Sequence, residues 1–449
     1  MDAGSFASCS GGASIRIGFE LPSFHIWNDG GTLHWMKTQT ASKVPPRSGF
    51  ASIYFLMHIL LRILFFVALT GSVTSSIYCG MVMVAAIRFG LRRRRELRQP
   101  ADFLPPLSVL KPLHGTEPGM ERNLETFFQQ QYPDFELLFC ARQETDEGLR
   151  LARKVGERYP AVNARFLTCG EPMPKFHNAK VYSLAKLDSV AKNDTYITSD
   201  ADVRVQPDYL LRMVQNLKDP HVGLASCVYL GTAGEGATLA SQLDAVGKSV
   251  EMTSGVLVAD MIEGTKFALG ATMATRRKSF QEVGGFDELG QFYADDFVLG
   301  NRLAAQGTGV LLATHVIRLM VQDSPFWLSF RNQLRWMQST RRSRPWGHLG
   351  SGLTFAIPFG LMGLVWGLCT GRAAVGLFWL VVMIVNRWLQ AGSILLVMGD
   401  PGWWRGTLIY PLRDFLGWAL WVGSYGGESF YYRGKVYKMK QGGRVESPE

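Results

Sequence analysis

Cysteine is scarce in this chain: six residues among 449, with no Cys-x-x-Cys pair, and two of the six (Cys79 and Cys369) inside apolar runs. A disulfide framework and a zinc site are therefore excluded as organising devices. Also missing is any helix-turn-helix, zinc or aromatic-interleaved basic module, so a net charge of +10 does not point to nucleic acid as a partner. Charge itself is nearly absent from two long stretches, Phe50 to Phe89 and Gly352 to about Gly426. The first is too long and too late to be a signal peptide. The cations lie instead on the flanks of these runs and across Arg331 to Arg344, which suits a protein at an anionic leaflet acting on anionic ligands.

What remains is enough to bury a large core, since 47% of the residues are hydrophobic. The composition divides the chain into a Gly/Ser-rich start (1–49), an apolar anchor with a basic flank (50–98), a soluble domain (99–323), an amphipathic interfacial segment (324–350), a second apolar region (351–426) and a basic tail (427–449). Ile63 to Ile87, bracketed by Arg62 and Arg88, predicts one spanning helix, and Arg92 to Arg95 behind it place the soluble domain on the cytoplasmic side. Gly352 to Cys369 and Ala374 to Met398 predict two more spans, the second interrupted by Asn386-Arg387. Leu408 to Tyr425, with Pro411, Arg413 and Asp414, either spans or lies in the interface, and the side on which the tail ends depends on which. The expectation is a multi-pass membrane protein with the lipid bilayer as a partner.

Within the soluble domain, Leu107-Ser-Val-Leu110, Phe135 to Cys140 and Ala164 to Leu167 predict strands that alternate with helical patterns at Met120 to Gln131 and Glu147 to Arg158. That alternation implies an α/β fold with a mostly parallel sheet and a ligand site at the carboxyl ends of its strands. Asp146 falls at such an end, where it also fits a helix N-cap. So does the pair Asp200 and Asp202, which follows the apolar run Thr195 to Ser199. On an extended backbone side chains two apart share a face, so this pair predicts paired oxygen ligands for a hard divalent cation, Mg²⁺ or Mn²⁺. Phe292-Tyr-Ala-Asp295-Asp296-Phe297 sets two acids at the start of a helical pattern, and Arg335-Trp336 sits in a Trp- and Arg-rich amphipathic stretch.

Leu110-Lys-Pro-Leu-His-Gly115, Asn123 to Phe128, Tyr132-Pro133, Pro174-Lys175 with Asn178, Ser199 to Asp202, Ala294-Asp-Asp296 and Arg335-Trp336 occur in an order that resembles ceramide glucosyltransferases and the related bacterial glycosyltransferases of hopanoid biosynthesis. The resemblance implies a GT-A domain, Rossmann-like, that binds a UDP-sugar donor and transfers glucose or N-acetylglucosamine with inversion to the hydroxyl of a membrane lipid acceptor. Carried over by motif, Asp146 would hold the uridine. Asp200, with Asp202, would hold the divalent cation on the diphosphate, and Asp296 would be the general base. Arg335 and Trp336 would close over diphosphate and acceptor, and Lys111 and Lys175 would contact nucleotide or phosphate. The sequence departs from the family pattern at Asn332-Gln333, three and two residues before Arg335. It also keeps an aspartate at position 202, where the animal enzymes have glycine, as in the bacterial branch. A processive polysaccharide synthase shares the acid motifs, but the short apolar portion argues against a channel. A membrane transporter or receptor that only binds nucleotide sugars is disfavoured by the joint presence of Asp296 and Arg335-Trp336.

Overall fold

A computed structural model describes residues 48–117, 119–170, 178–427, 429–432, 435–439 and 444–446; Lys175 lies outside them. Leu56–Glu449 forms one compact unit, and all packing below belongs to it. Eight strands build the main sheet: β1 (Leu107–Pro112), β2 (Phe135–Ala141), β3 (Asn163–Thr168), β4 (Thr195–Ser199), β5 (Val203–Arg204), β6 (Val222–Ala233), β7 (Thr272–Arg276) and β8 (Gly309–Val321). Their order is β3-β2-β1-β4-β7-β6-β8-β5. The pairs β3-β2, β2-β1, β1-β4 and β6-β8 are parallel, whereas β7 runs antiparallel between β4 and β6, and β5 is antiparallel to β8. The sheet is mostly parallel, as the β/α alternation implies.

Helices cover both faces, which is why the central strands read as unbroken apolar runs and not as alternating ones. One face packs Phe127, Leu149, Tyr209 and Phe139 between the sheet and helices Met120–Phe128, Glu147–Glu157 and Tyr209–Gln215. The other packs Leu110, Leu184, Phe280 and Leu299 beneath helices Ala179–Val190, Arg277–Glu282 and Asp295–Ala305. Each such fully buried side chain contributes about 1.5–3 kcal/mol relative to exposure. Both acid motifs are tied to the segment that leads into β7, where the Ala271 carbonyl accepts from Asp200 N (3.0 Å) and Gly270 N donates to Asp296 Oδ2 (2.5 Å).

Among the described residues two helices are long and apolar enough to cross a membrane by length and composition, Ile53–Arg98 and Ala373–Met398, with a shorter apolar helix at Ile357–Cys369. The first belongs to one uninterrupted helix, Ser48–Arg98, that does not stop at Arg88. Its last turns place Val82, Ala85, Ala86 and Phe89 against Val228, Leu230 and Leu312 of the sheet and against Ala391 and Ile394. The two long helices run parallel: Trp379 Nε1 donates to Ser72 Oγ (2.7 Å), Asn386 Nδ2 to Ser76 Oγ (3.1 Å) and Arg93 Nη1 to the Val397 carbonyl (3.1 Å). Arg387 turns inward to protein, meeting Asp414 at 3.0 Å with both side chains 1% exposed.

Helix Trp403–Gly423 continues through Pro411. Tyr410 and Asp414 meet Gln390 and Arg387, Arg413 pairs with Glu251 at 2.8 Å, and Trp421 Nε1 donates to the His348 carbonyl at 2.7 Å. It is thus wedged between the apolar helices and the soluble domain and returns to residues that precede helix Ile357–Cys369. The tail strands Ser429–Tyr432, Lys435–Met439 and Val445–Glu446 follow, and a bridge between Phe292 and Arg444 ties them to the Asp295–Asp296 loop.

Candidate active site

Strand β4 ends at Ser199, and Asp200-Ala201-Asp202 turns away before β5. The extended-backbone argument for a shared face is corrected accordingly: the two carboxylates approach each other across a tight turn, with Val203 N on the Asp200 carbonyl at 3.4 Å. Asp202 is pushed up to about 7 by burial and then by the charge of Asp200. Lys111, on β1, is wholly buried beneath the turn; its Nζ donates to the Asp200 carbonyl (2.9 Å) and lies 3.5 Å from the Phe127 ring centroid. Burial lowers its pKa to about 7, against the opposing pull of Asp200 and Asp202. Its place is under the site, holding the β4 end, because its ammonium has no surface toward a ligand.

The second wall comes from helix Ala179–Val190. Asn178 caps it, its Oδ1 accepting from Lys180 N and Val181 N, which leaves Nδ2 free to donate to Asp295 Oδ1 (2.9 Å) and the Phe292 carbonyl (3.1 Å). The cap fixes Lys180 so that its Nζ sits 2.6 Å from Asp200 Oδ1 and 2.8 Å from the Gly270 carbonyl. Gly270 N in turn donates to Asp296 Oδ2 at 2.5 Å, and Phe297 N to Asp296 Oδ1 at 2.8 Å. The chain Asp200, Lys180, Gly270, Asp296 thus brings the two acid motifs into one cleft. Burial alone would lower Lys180, but Asp200 and Asp295 outweigh it and hold the ammonium above its ordinary value. Asp295 is pushed up to about 6 by burial, with Lys180 opposing and Asp296 adding to the rise; Asp296 is raised as well, first by burial. Tyr229 borders the same cluster: burial, then the charges of Asp296, Asp202, Asp244 and Asp200, keep its hydroxyl protonated.

Asp146 caps helix Glu147–Glu157, its Oδ1 accepting from Leu149 N (3.2 Å), and its Oδ2 accepts from Gly115 N (2.9 Å). It ties the loop after β1 to the loop after β2, so the N-cap expectation and a place at the strand ends both hold for it. Arg335 and Trp336 lie on helix Phe326–Ser343. Arg335 hydrogen-bonds the Tyr293 hydroxyl and stacks over that ring at 5.4 Å, two residues from Asp295. Trp336 is 39% exposed, with Lys248 Nζ 5.0 Å from its ring. Gln333, one helical turn back from Trp336, is buried and bonded to Ser329 Oγ (2.9 Å) and Arg413.

Among the described residues no three His, Cys, Asp or Glu side chains converge as a ready metal cage. The donor set nevertheless fits a hard cation shared with phosphate oxygens: two carboxylates at one turn, with Asp202 Oδ1 buried and lacking a hydrogen-bond partner among the described residues.

Residues 63–445 match the model of Glycosyl transferase family 21. The chain belongs to glycosyltransferase family 21. Among relatives of this family member, ceramide glucosyltransferase 1 of Caenorhabditis elegans is 24% identical over 388 residues, covering 85% of this chain and 81% of the relative. Ceramide glucosyltransferase of Komagataella phaffii is 36% identical over 113 residues, 25% of this chain and 22% of the relative. Among solved structures, the mannosyltransferase PcManGT from Pyrobaculum calidifontis, in complex with GDP-Man and Mn²⁺, aligns with a TM-score of 0.42 at 17% identity, covering 79% of this chain and 99% of that one. Of the family 21 site, sequence reasoning missed Lys180, Gly270 and Tyr229. A lysine in a helical stretch reads as solvated surface, and only the N-cap Asn178 two residues earlier signals that Lys180 is at a helix start facing the cleft.

Proposed function

We propose that this family 21 enzyme is an inverting glycosyltransferase with a GT-A domain, moving glucose or N-acetylglucosamine from a UDP-sugar to the hydroxyl of a membrane lipid such as ceramide or a hopanoid. The observation that carries the reading is the Asp200–Lys180–Gly270–Asp296 chain, which puts a donor-side carboxylate and an acceptor-side carboxylate in one cleft. Inverting transfer is an in-line displacement at the anomeric carbon, so it needs a base on one side of the sugar and charge neutralisation on the other. Asp296 is the base: its raised affinity for protons and its two backbone N–H contacts suit a positioned carboxylate that takes the acceptor hydroxyl proton, a contribution of about 10²–10⁴-fold. Asp295, hydrogen-bonded to Asn178, orients the loop.

Asp200 and Asp202 hold a divalent cation, Mg²⁺ or Mn²⁺, which when bound neutralises the departing diphosphate. Arg335 adds a fixed positive charge, and Trp336 closes over the acceptor. Asp146 shapes the uridine pocket through its hold on both loops, Lys111 fixes the backbone at Asp200, and Lys175 contacts phosphate. The acceptor stays in the bilayer because each buried CH₂ is worth about 0.8 kcal/mol, so the site comes to it. Exposed Phe326, Trp327, Trp346 and Leu349 beside the Arg335-Trp336 helix support that placement. The enzyme is read as a multi-pass protein of the bacterial inner membrane with its catalytic domain in the cytoplasm.

The test is purified full-length enzyme in lipid nanodiscs, offered UDP-glucose or UDP-N-acetylglucosamine with ceramide, hopanoid or diacylglycerol. A glycolipid with one added sugar, of anomeric configuration opposite to the donor's, is expected. A polymeric product, or no UDP release from any combination, contradicts the proposal.

A further inference from the structure

A cavity of about 840 Å³ shares no lining residue with the carboxylate cleft. It lies where the two long apolar helices end, bordered by Arg93 and Leu97 of one and Met398 and Gly399 of the other, with β5 and β8 of the sheet as its floor. Its size is that of a small-molecule site. Four acids line it, and each is already engaged. Asp102 pairs with Lys218 (2.7 Å) and Asp208 with Arg212 (3.3 Å). Glu96 accepts from the Thr314 hydroxyl, and Asp219 accepts from His221 N (2.9 Å).

Three arginines are left over. Arg93 donates only to the Val397 carbonyl and Arg204 only to Asn123 Oδ1, and Arg318 has no hydrogen bond or ion pair among the described residues. Arg204 and Arg318 are cross-strand neighbours in the β5–β8 register, so two like charges stand side by side. Unrelieved, such a pair is destabilising. On the same wall, His315 Nε2 is buried with no partner. Three guanidinium groups that form no ion pair with the acids lining the same cavity, beside an unpaired ring nitrogen, are complementary to a tetrahedral oxyanion.

We propose that this cavity binds a phosphate group through Arg93, Arg204 and Arg318, with His315 as a further hydrogen-bond partner. The phosphate is that of an anionic phospholipid headgroup or of a soluble phosphate compound. The lipid source is favoured by position, since Arg92 to Arg95 and the Met398–Gly399 end mark where the apolar stretches of both helices give way to charge. The site is independent of the sugar-transfer reading.

The experiment uses the full-length protein in detergent, with native mass spectrometry and thermal unfolding. The probes are phosphatidic acid, phosphatidylcholine and inorganic phosphate, and the proteins are wild type, R318Q, R93Q/R318Q and the exposed-cation control R94Q. Wild type is expected to bind phosphatidic acid in preference to phosphatidylcholine. R318Q should weaken this by about tenfold or more, as loss of a charge-assisted contact does, with R93Q/R318Q weaker still and R94Q unchanged. Binding of inorganic phosphate that R318Q abolishes, with no lipid preference, supports the site and assigns it to a soluble phosphate. Equal weakening by R94Q and R318Q reduces the effect to general surface charge and overturns the proposal. So does a folded R93Q/R318Q variant that binds both probes like wild type.

Discussion

Replacing Lys180 with methionine isolates the electrostatics of the cleft. The ammonium sits 2.6 Å from Asp200 Oδ1, a separation worth about 1.6 kcal/mol in bulk water and about 6 kcal/mol at an effective dielectric of 20. Lys180 is 27% exposed and Asp200 33%, so solvent screens the pair and the lower half of that range applies, about 2–3 kcal/mol. That is the coupling the ammonium supplies to Asp200; Asp295 and Asp296 feel the same charge from outside ion-pair distance. Asp295 and Asp296 are already raised by burial and are held down by Lys180, so they rise further. The sign follows: the base is deprotonated only at higher pH, and the acid limb of the kcat/KM profile moves to the alkaline side. The assay is UDP release across pH by the full-length enzyme, with thermal unfolding as the folding control and K180R expected to restore part of the shift. A folded K180M enzyme whose acid limb stays where wild type has it refutes the reasoning.

Three further outcomes follow from the same geometry. Excess EDTA should abolish UDP release and added Mn²⁺ or Mg²⁺ should restore it, whereas full activity in chelator removes the cation from Asp200 and Asp202. In G270A the new methyl would meet Asp296 Oδ2 at 2.6 Å, so Asp296 is displaced, and turnover should fall by about 10²-fold with UDP-sugar affinity kept, measured by kinetics and calorimetry. D146A removes the N-cap of helix Glu147–Glu157 and should lower stability by about 0.5–2 kcal/mol in denaturant titration, together with weaker UDP binding.

The first half of the soluble domain was legible in the sequence because its strands and helices alternate with clear periods. Leu107–Pro112, Phe135–Ala141 and Asn163–Thr168 lie within two residues of the expected strands. The second half was not. Strand β6, rich in Gly, Ser, Cys and Thr, is buried along most of its length and carries no period of two. The antiparallel β7 has only five residues and gains its place from partners on both sides. The acids Asp200, Asp202 and Asp296 were readable as motifs, but what joins them was not. Lys180 and Gly270 act through a capped helix start and a backbone approach, neither of which leaves a motif. Lys111 was read as a nucleotide or phosphate contact, since burial of a lysine depends on the carbonyl and ring that receive it, and these arrive from distant segments.

The account rests on a carboxylate that accepts the lipid hydroxyl's proton in the cleft where the nucleotide is held. Turnover and UDP-sugar affinity measured side by side on Asp296→Asn test this most directly. The account predicts a folded enzyme that binds UDP-sugar as wild type does and loses turnover by at least about 10²-fold. A variant that turns over at a near-normal rate contradicts it.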